Sequence, residues 1–215
     1  MNTTPNFDRI ARLYRWMEWL SFGPLLHRTR TAWLRELLET RNALVLGDGD
    51  GRFTRDLLSV NPKVHVHAVD LSAAMLQELQ HRCVLYAGRL VATRANALNF
   101  VPDAVYDLVA THFFLDCLSE AEVEQLAQAL RPSLTENALW LVSDFHIPRQ
   151  GAVRPIAVLL TATLYAAFRL LTGLSANHLP DHASVLQRAG MVCIRRRVFL
   201  GGILISELWQ RPRSA

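Results

Sequence analysis

The stretch ALVLGDGDGRF, residues 43–53, places glycine at every second position directly after a short apolar run, with aspartates between the glycines. A short apolar run that ends in glycines is typical of a buried strand leading into a turn. Glycine there lets the backbone adopt positive φ and approach a ligand closely, and the next helix offers its first N–H groups. Because an acidic loop repels a pyrophosphate but attracts an ammonium or sulfonium group, the stretch predicts a nucleotide-like ligand that carries a positive charge.

The spacing of these glycines differs from the dinucleotide-binding fingerprint. The pattern G-x-G-x-x-G would need glycine where Arg52 stands, and the third glycine, Gly51, comes one residue early. Asp70 ends the next predicted strand, where an acidic side chain can accept hydrogen bonds from ribose hydroxyls. The pair of features therefore favours a nucleoside ligand over a dinucleotide.

Composition limits the class of protein. A chain of 215 residues, 51% hydrophobic, fits one α/β domain with an ample core. The three cysteines lie far apart, which predicts neither a zinc site nor a disulfide framework. Charged residues interrupt the N-terminal stretch where a signal peptide would be apolar, so we expect a cytoplasmic protein without a targeting signal.

The net charge of +4 does not by itself indicate a nucleic-acid partner. The basic residues are scattered, and only Arg195, Arg196 and Arg197 run together, alternating with apolar residues as the exposed rim of a strand does. We therefore expect no nucleic-acid partner. The oligomeric state is not indicated by the sequence.

Apolar periodicity predicts strands and helices in alternation. Helices are predicted at 5–20, about 25–40, 52–60, 72–82 with Ser72 as N-cap, and 119–130 with a capping box of Ser119 and Glu122; strands are predicted at 42–47, 64–70, 89–97, 106–114 and 137–145. Such alternation predicts a parallel sheet with ligands at the carboxyl ends of its strands. The tail, residues 191–210, predicts a β-hairpin around Gly201-Gly202 and hence an antiparallel last strand.

One segment, residues 156–174, is apolar except for Arg169 and three threonines. A stretch of about 20 such residues is long enough to span a bilayer. Predicted strands flank it on both sides, and a spanning helix would split one sheet across the membrane. We therefore predict a helical lid over the site, without a stable membrane span; contact with a membrane surface is the alternative.

Four motifs together resemble the class I S-adenosylmethionine-dependent methyltransferases: ALVLGDGDG, HAVDLSAAML, RANAL and VYDLVATHFFLDCL. Their order and spacing agree with that family over about residues 43–145. The resemblance implies a doubly wound α/β fold, Rossmann-like, with a mostly parallel seven-stranded sheet and an antiparallel last strand. The stretch FDRIARLYRWMEW more loosely resembles the N-terminal helix of the ubiquinone/menaquinone-biosynthesis type of methyltransferase.

The resemblance implies a role for each matching residue. The backbone of Gly47, Gly49 and Gly51 would surround the methionine part of the cofactor S-adenosyl-L-methionine, and Asp70 would hold its ribose. The other implied contacts are Leu71 on the adenine face, Asn96 and Ala97 at the adenine edge, Thr111 and His112 near the methionine amine and the transferring methyl, and Tyr14 closing over the cofactor. Core packing is the alternative for Tyr14, and a loop cap is the alternative for Asn96.

Two positions depart from the family pattern. Val45 stands where the family usually has an acidic residue, and Asp48 stands where it usually has a small residue or cysteine. We expect Asp48 to contact the cofactor ammonium in place of the missing acid. Aspartate also favours turns and helix starts, so a structural role is the alternative for Asp48 and for Asp50.

Catalysis demands few specific residues. A methyl on a sulfonium is already activated, so the protein mainly holds the nucleophile about 3–3.5 Å away in dry surroundings. An oxygen or acidic-carbon acceptor also needs a base. The candidate acids, bases or substrate contacts lie where strands four and five end, each with a structural cap as its alternative: His112, Asp116, Asp144 and His146. Asp144 and His146 would share one face if the strand continued through them.

The predicted function is methyl transfer to a small, apolar or aromatic acceptor, because the segment 156–174 offers leucines, Tyr165 and Phe168 rather than charge. Two alternatives remain, a non-catalytic cofactor-binding protein whose apolar helix meets a partner or membrane, and an NAD(P)-dependent reductase. We predict a single domain over 1–215, divided into N-terminal helices (1–40), a cofactor-binding core (43–147), a helical insertion (148–180) and a terminal helix with hairpin (181–215). No metal site is predicted.

Overall fold

The computed structural model describes residues 24–148, 150–151, 153–172 and 179–213, with side chains described only up to Thr163 within the third range. The predicted first helix, with Tyr14, and the side chains of Tyr165, Phe168 and Arg169 lie outside the described part. The ubiquinone-type likeness of residues 7–19 stays a prediction for the same reason.

Seven strands form one sheet in the order β3-β2-β1-β4-β5-β7-β6. The neighbours from β3 to β5 pair in parallel, and β7 pairs antiparallel with both β5 and β6. The strands are β1 (Asn42–Leu46), β2 (His65–Asp70), β3 (Leu90–Arg94), β4 (Tyr106–His112), β5 (Leu134–Phe145), β6 (Val192–Phe199) and β7 (Leu204–Gln210). The predicted doubly wound sheet with its reversed last strand is confirmed, and the reversed strand lies between β5 and β6.

Six α-helices are described: α1 (Pro24–Arg30), α2 (Arg52–Val60), α3 (Ala73–Arg82), α4 (Glu120–Leu130), α5 (Arg154–Thr172) and α6 (His182–Arg188). Short 3₁₀ turns lie at Leu34–Leu37, Val84–Arg89, Leu115–Cys117, Arg131–Ser133 and Leu200–Gly202. Two predicted caps are confirmed: Ser72 Oγ accepts the N–H of Met75 at the start of α3. Ser119 and Glu122 form the capping box of α4.

The predicted helix over 25–40 is wrong in its second half. The α-helix ends at Arg30, and a turn precedes the 3₁₀ segment Leu34–Leu37. Thr29 and Thr31 donate their hydroxyls to the carbonyls four residues back, which bends helices. Trp33 turns into the protein and donates its Nε1–H to the carbonyl of Ser206 on β7 at 3.3 Å. Anchoring to the sheet therefore overrides the local helical pattern.

The sheet has a hydrophobic layer on each face. One layer contains the cross-strand pair Trp140 and Trp209 and is covered by α4 and α6. The other contains Trp33, Phe53 and Leu57 and is covered by α2 and the 3₁₀ segment Leu34–Leu37. Because β1, β2, β4 and β5 run parallel, their carboxyl ends meet at one edge between the layers. The predicted site residues after these strands share that edge.

The predicted insertion is a helix, α5, that follows β5. Within the part of the chain that the structure describes, no helix combines the length and the apolar character needed to cross a bilayer.

Candidate functional site

The turn after β1 is built from glycines in the left-handed region. Gly47, Gly49 and Gly51 have φ of 66°, 62° and 77°. A Cβ at Gly47 would overlap the ring of Phe114, and one at Gly51 would come within 2.9 Å of the Leu79 backbone. At Gly49 the nearest atom would be Met75 Sδ at 3.7 Å, so its surface is open. The outer glycines are required by packing, and the middle one leaves room for a ligand.

Asp50 serves to hold the turn in place. Its Oδ2 accepts hydrogen bonds from Arg52 at 3.1 Å and from Arg82 of α3 at 2.8 Å. Arg82 also donates to the Asp50 carbonyl at 2.7 Å. These contacts favour the structural interpretation of Asp50.

The two carboxylate oxygens of Asp48 have different surroundings. Its Oδ2 accepts the backbone N–H of Thr54 in α2 at 2.9 Å. Its Oδ1 is buried and has no hydrogen-bond partner among the described residues. Burial raises the pKa of Asp48 to about 6, even though the Thr54 hydrogen bonds and the charge of Arg30 act in the opposite direction. A buried carboxylate oxygen without a partner fits an ammonium ligand.

His112 and Thr111 point to opposite faces of the sheet. Thr111 accepts the Nε1–H of Trp140 at 3.1 Å. The His112 ring lies against Phe53 of α2, with centroids 4.2 Å apart. Both ring nitrogens are buried without a partner in the described chain, and burial, with the charge of Arg30, lowers the His112 pKa well below its usual value. His112 is therefore neutral at physiological pH.

Arg30 is a residue that sequence analysis missed. It is buried at the end of α1, with its guanidinium carbon 5.0 Å from the centroid of the Phe113 ring. Ser143 of β5 donates to the carbonyl of Thr29 and so fixes this helix end. The charge of Arg30 reaches both Asp48 and His112. No motif marked it, because contact between α1 and the glycine turn arises only from the tertiary fold.

The ends of β2 and β3 carry the predicted adenosine contacts. Asp70 Oδ1 accepts the N–H of Ser72 at 2.9 Å, which orients its carboxylate at the edge. Asn96 is exposed and its Oδ1 accepts the N–H of Leu98 at 3.0 Å, so it does cap its loop. Ala97 is buried and Leu71 is half-buried. All four lie at or just after the ends of the strands that flank β1 on one side.

Two carboxyl groups meet where β4 and β5 end. Asp144 is buried, and its two oxygens accept the N–H groups of Phe145 at 2.8 Å and Asp116 at 3.1 Å. Burial raises the pKa of Asp116 to about 6. Burial and the neighbouring Asp116 charge raise the Asp144 pKa well above its usual value. Both carboxyls are therefore harder to ionise than exposed aspartates.

His146 lies one residue beyond β5, which ends at Phe145. Its Nδ1–H donates to the Gly202 carbonyl at 2.8 Å, and its Nε2 accepts from Arg196 at 3.2 Å. Both ring nitrogens are thus engaged with the hairpin. No cluster of three metal-ligating side chains occurs among the described residues.

Residues 43–137, which hold the glycine turn, Asp70, Asn96 and the end of β4, match the family described as methyltransferase domain. Residues 43–137, less than half of the chain, are similar to class I S-adenosylmethionine-dependent methyltransferases. The domain also has a curated relative, the malonyl-[acyl-carrier protein] O-methyltransferase of Halorhodospira halophila, which is 40% identical over 92 residues. That alignment covers 42% of this chain and 29% of the relative. The chain thus matches less than a third of the relative's length.

Solved structures share the fold of the methyltransferase domain at low identity. The mitomycin 7-O-methyltransferase MmcR superposes with a TM-score of 0.70 at 15% identity, covering 97% of this chain and 61% of that one. The N-methyltransferase NodS from Bradyrhizobium japonicum, in complex with S-adenosyl-L-homocysteine, superposes with a TM-score of 0.64 at 14% identity, covering 87% and 88% of the two chains. Both O- and N-methyltransferases therefore share this architecture.

Proposed function

We propose that this protein transfers the methyl group of S-adenosylmethionine to a small apolar or aromatic acceptor. The observation that carries the proposal is the open, acidic glycine turn, in which Asp48 keeps a buried oxygen without a partner in the described chain. A cationic ligand with an ammonium group supplies the charge that this oxygen lacks.

Arg30 and Asp48 fit the two charges of an amino-acid group. Arg30 is a buried cation whose charge reaches Asp48, and together they present opposite charges beside the glycine turn. An amino-acid end offers a carboxylate to the first and an ammonium to the second. In this proposal Asp70 holds the ribose, while Leu71, Asn96 and Ala97 border the adenine.

The bound cofactor supplies a methyl group already activated by the sulfonium. The protein's own part is to orient the acceptor in line and to keep water away. When the acceptor loses a proton, Asp116 is the proposed base, because it is the more exposed member of the carboxyl pair and its pKa is about 6. Asp144 positions it by accepting its backbone N–H. His112 is proposed as a neutral contact beside the methionine end.

The acceptor class rests on the segment 156–174, proposed as a lid whose sequence is mostly apolar. The malonyl carrier substrate named for the curated relative is not transferred to this chain, because the alignment covers only 42% of this chain and 29% of the relative. We propose a cytoplasmic location for the protein.

Calorimetric titration with S-adenosylmethionine and S-adenosyl-L-homocysteine tests the proposal. We expect micromolar or tighter binding at pH 8, weakened at least tenfold in Asp48→Asn and Asp70→Ala. Asp103→Asn is the matched control, because Asp103 is exposed near the opposite end of β4. Absence of binding to the wild type would refute the cofactor site; binding without turnover over a panel of phenols, quinols and amines would favour a non-catalytic role.

A further inference from the structure

Helix α5 is apolar on both of its described faces. Ala157 and Thr161, four residues apart, are buried against the domain. Ile156 and Leu159 point outward and are 60% and 70% exposed. A surface helix of a water-soluble domain normally places polar residues on its outer face. The outer face of α5 is therefore suited to a non-aqueous neighbour.

Exposed apolar side chains also lie on the hairpin, next to the start of α5. A Cβ at Gly201 would lie 2.9 Å from Val153, so the start of α5 packs on the 3₁₀ turn Leu200–Gly202. Val198 and Leu200 beside this turn are 58% and 39% exposed. We define the α5 patch as Ile156, Val158, Leu159, Val198 and Leu200. Contiguous exposed apolar patches of this kind mark interaction sites.

The sequence around α5 is basic. Residues 145–180 contain no aspartate or glutamate and three arginines, Arg149, Arg154 and Arg169. The exposed run Arg195–Arg197 lies on β6, the outermost strand, directly before Val198. Apolar side chains flanked by arginines match the two components of an anionic lipid surface, acyl chains and acidic headgroups.

We propose that the α5 patch docks on an anionic lipid bilayer, with α5 lying in the plane of the interface. The inner face of α5 stays on the domain through Ala157 and Thr161, so the helix enters the interface without crossing it. A bilayer suits the patch better than a protein partner because apolar exposure and positive charge occur together, and residues 145–180 contain no acidic residue to define a specific partner. This proposal does not depend on the methyltransferase activity.

Vesicle sedimentation with the full chain tests the proposal. The probes are vesicles of phosphatidylcholine alone and of phosphatidylcholine with phosphatidylglycerol at about 7:3. We expect the wild type to pellet with the anionic vesicles at about 0.05 M salt, and binding to fall at least tenfold at about 0.5 M salt or with neutral vesicles, since salt screens exposed charges.

A double variant within the α5 patch and a control variant outside it test whether the patch itself binds the vesicles. Ile156→Asp with Leu159→Asp is expected to weaken binding to anionic vesicles at least tenfold while keeping the thermal midpoint. Leu85→Asp is the matched control, because Leu85 is 87% exposed and lies on the 3₁₀ turn Val84–Arg89, outside the patch. Failure of the wild type to pellet, or equal loss in the control, would overturn the proposal. It would also be overturned by a wild-type dimer in light scattering that the double variant dissociates without vesicle binding, which would indicate a second copy as the occupant.

Discussion

Asp48 accepts the backbone N–H of Thr54 at 2.9 Å through Oδ2, while its buried Oδ1 has no partner in the described chain. The same side chain therefore satisfies the start of α2 and presents an acceptor at the glycine turn. The two interpretations of Asp48, as helix-start residue and as ligand contact, are compatible because they use different oxygens. This arrangement has a free-energy cost, because it places an ionised carboxylate in a buried environment.

That cost predicts the pH dependence of stability. The folded-state pKa of Asp48, about 6, exceeds its ordinary value of 3.8, so the folded protein binds the extra proton between these values and stability falls as pH rises through that window. The difference corresponds to about 3 kcal/mol above pH 6. Asp48→Asn keeps an oxygen for the Thr54 N–H and removes the charge. We expect this variant to be more stable than wild type at pH 8, by up to about 3 kcal/mol, and equal at pH 4.

Urea unfolding of the free protein at both pH values measures this difference, with Asp103→Asn as the control that leaves it unchanged. If Asp48→Asn gains no stability at pH 8, the ionised Asp48 carboxylate does not destabilise the folded protein. Cofactor affinity should respond in the opposite direction: it falls as pH drops below about 6 in the wild type, because the ligand binds the ionised form, and is weak at every pH in Asp48→Asn.

Substitution by alanine should have different effects at Gly49 and at Gly51. Gly51→Ala adds a Cβ within 2.9 Å of the Leu79 backbone and strains a φ of 77°, so we expect a large loss of unfolding free energy. Gly49→Ala has the strain but not the overlap, since its nearest neighbour is 3.7 Å away. We expect a loss of about 1–2 kcal/mol there, together with at least tenfold weaker cofactor binding.

Gly190→Ala supplies the control for strain alone, because Gly190 has a φ of 83° and open space around it. It should lose about as much stability as Gly49→Ala but keep its cofactor affinity. Thermal unfolding and calorimetry on the same samples separate the two effects. Equal affinities for Gly49→Ala and Gly190→Ala would remove the middle glycine from the site.

The sheet could be predicted from the sequence because its signals are local. The apolar runs of β1 and β4, the cap at Ser72 and the capping box at Ser119 are each specified within a few residues, and the alternation of strand and helix implies the parallel order. The helix over 25–40 was predicted too long because what ends it is distant: Trp33 bonds to Ser206, which lies far along the chain. Local periodicity carries no information about that bond.

The site was predictable to the extent that it follows strand ends. Asp48, Asp70 and Asp116 could be proposed from the sequence because Asp48 follows β1, Asp70 ends β2 and Asp116 follows β4. Arg30 was missed, since only the docking of α1 on β5 brings it beside Asp48. The hydrogen-bond partner of His146 could not be predicted either, because Arg196 lies on β6, 50 residues further along the chain.

The hydrogen bonds between Arg82 and Asp50 are expected to contribute to the stability of the fold but not to cofactor affinity. Arg82→Ala removes two hydrogen bonds to Asp50, at 2.7 and 2.8 Å, and leaves a buried carboxylate with fewer partners. We expect a loss of about 1–3 kcal/mol in chemical unfolding. Arg55→Ala is the control, because it removes only the exposed pair with Asp56 and should cost less than about 1 kcal/mol. A tenfold loss of cofactor affinity in Arg82→Ala with unchanged stability would contradict the structural role of Asp50.

The Asp116–Asp144 pair predicts coupled titration. The Asp116 charge is a cause of the raised pKa of Asp144, so Asp116→Asn should lower the Asp144 pKa, which carbon-detected NMR of the aspartate carboxyls measures directly. The same variant should lose at least tenfold in kcat for any acceptor that gives up a proton, while the wild-type kcat rises with pH through about 6 and the variant's does not. Its cofactor affinity should stay within threefold of wild type, since neither carboxyl lies on the glycine turn. An unchanged kcat profile in Asp116→Asn, with the Asp144 pKa lowered as expected, would leave the pair as a structural link between β4 and β5 and exclude Asp116 as the base.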